Sequence, residues 1–258
     1  MRKWLGGFTG LVLAALYVPI AVMILFSFND SKLSVKWVGF TLDWYRMLAA
    51  DEKIHQDLWN TLKISTASTL LATVLGTMAA LAARPAFRGK RLYTTLVALP
   101  VMVPDIVLGM AMFALFDRFR VPLSLGTAVV AHVTFNLAYV ALVVSARLQG
   151  MDKSLELAAQ DLGATPMAAF WKVTLPAIFP GVLSGAVLAF TLSFDDFVIT
   201  YFTTGPGNGT LPMRIYSMVR FDVKPEINAI STLILGASLI LIAASMKISK
   251  VPVTGGGR

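Results

Sequence analysis

The chain has 258 residues, 57% of them hydrophobic and only 14% charged, with a net charge of +8 and a mean hydropathy of +0.73. Soluble domains carry about 25% charged residues, so this composition excludes a soluble globular protein and fits an integral membrane one. The lack of cysteine excludes disulfides and thiol chemistry, and two histidines, His55 and His132, leave little for metal or imidazole chemistry.

The N-terminus, MRKWLGGFTGLVLAALYVPIAVMILFSFNDS, pairs basic residues with a long apolar run. Signal peptides have apolar cores of roughly 7–15 residues and a small-x-small cleavage site. The run here is longer and ends in SFNDS, which predicts a retained transmembrane helix. Helices of about 20 apolar residues cross a bilayer core, and six such spans are predicted at 8–28, 61–83, 92–116, 125–146, 178–202 and 227–247. The segment 41–60, with Trp44, Tyr45 and Trp59 among charges, is predicted as an interfacial helix. Pro100 and Pro104 are expected to kink or interrupt the third span.

The basic excess lies in short clusters between apolar blocks, where topology accounts for it without any nucleic-acid partner. RPAFRGKR places Arg84, Arg88, Lys90 and Arg91 between spans two and three, which predicts a cytoplasmic loop. Six spans then put both termini inside, in agreement with Arg2, Lys3, Lys247 and Lys250. The loop after span five opens on Gly205, Pro206, Gly207 and Gly209, which break regular structure on the outer side.

Between spans four and five lies RLQGMDKSLELAAQDLGATPMAAFWKVTLPAIFP. Its SLELAAQDL stretch predicts a helix with Leu155, Ala158, Ala159 and Leu162 on one face. Gly163 is placed to end that helix, and Thr165 and Pro166 fit the N-cap and first position of a second short helix. That second helix is expected to run to Thr174 and stop at Pro176. The result is an elbow at the inner membrane surface; the plainer reading is an amphipathic connector resting on headgroups.

The spacing of Ala158, Ala159, Gly163, Leu175 and Pro176 resembles the cytoplasmic signature loop of bacterial ABC-importer permeases. The Glu expected before the two alanines is replaced by Leu157, with Glu156 one place earlier, so the motif is expected to lose a polar contact. FNDSKLSVKWVGFTLDWY, VPDIVLGMAMFALF, AHVTFNLAYV and LSFDDFVITYFTTGPGNGTLPMRIYSMV are similar to the permeases of polyamine importers, which handle putrescine and spermidine. The resemblance implies an all-α integral membrane protein with six transmembrane helices in the type I (MetI-like) permease fold. It implies one transmembrane domain over 1–258, with a core of about 61–247 and a coupling loop at 147–177.

The same resemblance implies a coupling role for Glu156, Ala158, Ala159, Asp161, Gly163, Ala164, Thr165 and Pro166. The implied partners are a homologous permease, two cytoplasmic ATPase subunits carrying ATP and magnesium, a periplasmic polyamine-binding protein and membrane lipid. The implied place is the bacterial inner membrane. The chain itself lacks the Gly-x-x-x-x-Gly-Lys-Ser/Thr phosphate loop and any catalytic constellation, so no cofactor and no enzymatic step are expected on it.

Three carboxylates fall inside predicted spans: Asp105, Asp195 and Asp196. Each costs about 2.5–3.5 kcal/mol on insertion scales, so each is expected to face a cavity or a partner. A polyamine is a methylene chain with two or more ammonium groups. Carboxylates suit the nitrogens and aromatic faces suit both parts, which makes Asp105, Asp195, Asp196, Phe194, Phe197 and Tyr201 candidates for the substrate pathway. Adjacent helical residues diverge by about 100°, so one of the Asp pair is expected to face the route and the other a neighbouring helix or water. The competing reading is structural, with the acids capping broken helices or bonding Ser and Thr across interfaces. Competing functional readings are an ABC permease for an amino acid, iron or thiamine, and an ion-coupled transporter.

Overall fold

A computed structural model describes residues 2–31, 36–152, 154–221 and 226–248. Residues 32–35 of FNDSKLSVKWVGFTLDWY, Lys153 of the elbow, 222–225 of the outer loop and Lys250 lie outside the described residues. In chain order the helices are α1 (Arg2–Phe26), α2 (Asp43–Ala50), α3 (Glu52–Ala82), α4 (Lys90–Met102), α5 (Asp105–Arg118) and α6 (Leu125–Gln149). There follow α7 (Ser154–Asp161), α8 (Pro166–Ala169), a π-helical turn (Phe170–Thr174), α9 (Leu175–Asp195), α10 (Val198–Thr203), α11 (Leu211–Phe221) and α12 (Glu226–Ile248).

Among the described residues, four helical stretches are long and apolar enough to cross a membrane: Gly6–Phe26, Glu52–Ala82, Leu125–Gln149 and Pro166–Asp195. The pair α4 and α5, bent by 106°, makes a fifth if counted as one broken span. The interruption expected in the third span falls at Val103, which is extended, and Pro104, while Pro100 stays within α4. The sixth expected segment coincides with α12.

Two expectations are corrected. The segment 41–60 is not one interfacial helix: α2 ends at Asp51, whose Oδ1 accepts the amides of Lys53 and Ile54 at 2.9 and 3.1 Å and so starts α3. Nor does Pro176 stop the second elbow helix, because helix continues from Pro166 to Asp195. The π turn absorbs the hydrogen bond that Pro176 cannot donate, with the Leu175 amide reaching back five residues to the Phe170 carbonyl.

The chain divides into two compact units, residues 1–55 with 214–258, and residues 56–213. In the first, α12 packs on α1 and α2. The loop after α1 is held by Asn29, which accepts from the Val38 amide at 2.8 Å and donates to the Lys36 carbonyl at 2.7 Å. Trp44 of α2 donates its indole N–H to the Asn29 carbonyl at 2.8 Å.

The second unit is built around α6, which packs on α4, α9 and α10. Val140, Val144, Ile178 and Ala189 form one buried cluster, and Met112, Phe116, Phe135 and Ile199 another. Small residues let the backbones approach: a Cβ on Gly76 of α3 would meet Val140 at 2.7 Å and the Leu137 carbonyl at 2.8 Å. The glycine-rich loop is pinned to the start of α3 in this unit. Asn60 donates to the Gly209 carbonyl, and Thr61 Oγ1 accepts the Leu211 amide, both at 2.9 Å. Gly205 takes a φ of 75° with the Leu123 backbone where a side chain would sit, so only glycine fits. From Thr61 to the end of α3 at Ala82 the helix rises roughly 32 Å, so this loop lies far along α3 from the elbow, which meets the chain at Arg84.

Candidate substrate pathway and coupling elbow

Asp195 and Asp196 do not share one helix. Asp195 is the last residue of α9, and Asp196 is extended, with φ −69° and ψ 125°. From this break Asp196 caps α10: its Oδ2 accepts the Thr200 amide and hydroxyl, each at 2.7 Å, and its Oδ1 accepts the Ile199 amide at 3.3 Å. His132 of α6, fully buried, places Nε2 at 3.3 Å from Asp196 Oδ2 and 2.9 Å from Thr200 Oγ1. Its Nδ1 lies 2.6 Å from Ser193 Oγ on α9, and Ser193 lies 3.0 Å from Ser68 Oγ on α3. Four helices therefore meet in one buried polar chain around Asp196, whose side chain is 8% exposed.

Asp195 points the other way and is exposed. Beside it, Phe194 stacks on Phe190 at 5.9 Å, and Phe197 packs on the exposed Tyr201 at 5.6 Å. Asp105 is also exposed, at the first position of α5 just after the other break. Helices α5 and α10 pack together, and a Cβ on Gly109 would meet the Phe202 ring at 2.9 Å and Ile199 Cα at 3.3 Å. Both breaks thus lead into one packed pair of short helices. A rise of 1.5 Å per residue sets Asp195 roughly 30 Å along α9 from its start at the elbow, in the half of the unit away from the elbow.

His132 makes interhelical hydrogen bonds, while among the described residues the side-chain amide of Asn136, one turn on, is buried with no hydrogen-bond partner. Ser68, Ser193 and Thr200 were not foreseen as site residues. The available signal was the spacing of Ser193 and Thr200, three before and four after Asp196, in LSFDDFVIT.

At the other end of the unit, α7 closes in a Schellman motif: the Gly163 amide bonds the Gln160 carbonyl at 2.9 Å and the Ala164 amide bonds that of Ala159 at 3.0 Å. Gly163 holds a φ of 89°. Thr165 Oγ1 then accepts the Ala168 amide at 3.2 Å, with Pro166 at the first helical position. Asp152, before α7, accepts the Ser154 amide at 2.9 Å, and that bond holds its carboxyl below the usual carboxylate range.

The polar contact expected to be lost is present. Glu156 Oε1 accepts from Arg84, just beyond α3, and from Thr174 in the π turn. One half-buried carboxylate therefore ties α3, α7 and the base of α9. Around it Leu155, Leu157, Ala158, Leu162, Met167 and Trp171 are exposed, as are Asp161 and Pro166, while Ala159 and Ala164 are half-buried.

A membrane bundle with two broken helices and a rigid elbow can carry a solute across and receive force from outside the bilayer. Comparison with known proteins says which such bundle this is. The profile of a family described as binding-protein-dependent transport system inner membrane component matches residues 72–251. The chain belongs to that family. It is a multi-pass inner-membrane permease subunit of an ABC importer, a transport component rather than an enzyme.

Among its relatives, the putrescine transport system permease protein PotI of Escherichia coli K12 is 44% identical over 86% of this chain and 82% of its own length. The spermidine/putrescine transport system permease protein PotC of the same strain is 39% identical over 95% of this chain and 93% of its own. In fold, the permease resembles a chain of a bacterial alginate importer, at TM-score 0.75 and 15% identity over 96% of each chain. It also resembles a chain of the MetNI methionine transporter, at TM-score 0.63 and 20% identity over 76% of this chain and 94% of that one.

Proposed function

We propose that this permease lines the path of an ATP-driven polyamine importer, with putrescine or spermidine as cargo. The observation that carries the reading is the exposed Asp195 beside the Phe197–Tyr201 pair at the α9–α10 break, on a chain whose curated relatives are named for these two amines. The carboxylate neutralises an ammonium, and the ring faces take methylenes and ammonium alike. Asp105 adds a second acid at the neighbouring break. Phe194 lines the same wall. Asp196 acts on cargo indirectly, by holding the break open in the geometry that turns Asp195 outward. Weak binding suffices here, because a periplasmic polyamine-binding protein performs the capture.

A second, homologous permease completes the path, and two cytoplasmic ATPase subunits supply ATP and magnesium. The elbow of residues 154–174 docks on one of them. A docked helix anchored through Glu156 to α3 and α9 passes displacement into the bundle, whereas a slack loop would absorb it. Six spans then place both termini, the 84–91 loop and the elbow in the cytoplasm, and the glycine-rich loop outside.

The reconstituted assembly, presented with binding proteins loaded with putrescine, spermidine, an amino acid, iron or thiamine, should raise its ATPase rate only for the amines, with vanadate abolishing uptake. Stimulation by another cargo alone would replace the polyamine reading, and vanadate-insensitive uptake would point to ion coupling. Because the chain has no cysteine, Arg88→Cys and Gly207→Cys give single labels; the first should react only from inside and the second only from outside.

A further inference from the structure

Between α3, α4 and α6, at the elbow end of the second unit, lies a cavity of about 500 Å³. Its lining is mostly apolar, including Ala80, Ala83, Val97 and Leu142, with Ser145 and Gln149 of α6 among its polar members, and it carries Arg84 and Lys90 of the loop. This volume falls in the range of sites that take small organic ligands.

The charge at the loop end selects the ligand. Lys90 is half-buried, and among the described residues its ammonium donates only to the Arg84 carbonyl, at 3.5 Å, and meets no carboxylate. Arg84 is already paired with Glu156. Lys90 also opens α4, whose first turn contains no acidic residue, so a cation sits at the positive end of a helix dipole, an unfavourable place unless an anion offsets it. The cavity therefore repels a polyamine and is not its exit. It calls for a molecule anionic at one end and apolar over the rest.

We propose that this cavity binds an anionic phospholipid of the cytoplasmic leaflet, its phosphate on Lys90 and Arg84 and one acyl chain along Ala80, Ala83, Val97 and Leu142. The proposal goes beyond the cargo reading and rests on it only for the inward placement of the 84–91 loop. Because Arg84 also anchors Glu156, the lipid head sits at the joint between bundle and elbow, and lipid composition sets how firmly that joint is held.

The test places the assembled importer in nanodiscs of phosphatidylcholine, with or without phosphatidylglycerol, and reads retained lipid by native mass spectrometry together with ATPase stimulation. Phosphatidylglycerol should be retained and should raise stimulation. Lys90→Ala should weaken retention about fivefold, the effect of one basic residue on an anionic lipid, and Lys90→Arg should restore it. Val97→Phe, which fills the apolar wall without changing charge, should also lower retention. Arg88→Ala removes an exposed charge of the same cluster outside the cavity and should retain lipid like the unaltered chain.

Four results overturn the proposal. Equal loss in Arg88→Ala would mean general surface attraction, and full retention in Val97→Phe would remove the acyl site. Inorganic phosphate giving the same stimulation in neutral nanodiscs would mean a free-anion site. Carbodiimide coupling of Lys90 to a carboxylate of the second permease would mean that a protein side chain occupies it.

Discussion

At the residue scale, Asp195 and Asp196 are neighbours with opposite surroundings, and the helix break between them creates the difference. Asp195→Asn removes a charge without removing any hydrogen bond seen among the described residues. Hydrogen bonds to charged groups are worth about 1.5–3 kcal/mol, so uptake of labelled putrescine into proteoliposomes should fall tenfold or more while the subunits still co-elute. Unchanged uptake would take Asp195 out of the path. Asp196→Ala should behave differently: it strands the amides of Ile199 and Thr200 and leaves His132 without its acid. Unsatisfied buried groups cost about 1–3 kcal/mol each, so this variant should lower the melting temperature of the assembly before any transport defect can be read. His132→Ala should show the same signature in weaker form, because the cap from Asp196 to α10 survives it.

At the element scale, the elbow is the part most legible in the sequence. Gly163, Thr165 and Pro166 act through backbone geometry that their residue types dictate, and the structure places each where the pattern requires. Two things were not legible. Pro176 is a stop signal only if the turn before it is α-helical, and no local pattern announces a π turn. The contact of Glu156 with Arg84 crosses 72 residues, a pairing that spacing alone does not encode; the loss read from Leu157 was made good by its neighbour. Likewise the Asp pair was legible as two acids in oil, but which one faces inward depended on the break at Asp196.

The elbow carries two tests. Gly163→Ala forces a side chain into a left-handed conformation at a cost of about 1–2 kcal/mol, and should lower uptake per ATP hydrolysed while the permeases still assemble. A double-mutant cycle on Arg84→Ala and Glu156→Ala should return a coupling energy between about 0.5 and 3 kcal/mol, read as shared loss of cargo-stimulated ATPase; strict additivity would mean the pair does not act together. The cap at Asp152 adds a pH expectation. Its folded carboxyl titrates below the unfolded value of about 3.9, so its contribution is fully present above that pH and is lost only as pH falls through the lower, folded value. Between pH 5 and 8 hydrogen exchange in α7 should show no change traceable to this residue.

At the scale of the whole molecule, the elbow carries large apolar side chains that the fold leaves exposed. Leu162, between the end of α7 and Gly163, has 89% of its surface exposed, and Leu155, Met167 and Trp171 are exposed as well. In the second unit α6 buries Val140, Val144 and Ala138 almost completely, so this sequence can cover apolar side chains where it packs them. An exposed Leu162 on the elbow is therefore available to the proposed ATPase partner. Burying one leucine contributes about 1.5–3 kcal/mol, which corresponds to roughly ten- to a hundredfold in affinity. Leu162→Glu should accordingly leave the permease pair intact on a sizing column, lower the amount of ATPase that co-purifies, and abolish the stimulation by loaded binding protein. Full ATPase retention with normal stimulation would mean that the elbow docks through another face, and that force enters the bundle elsewhere than through Glu156.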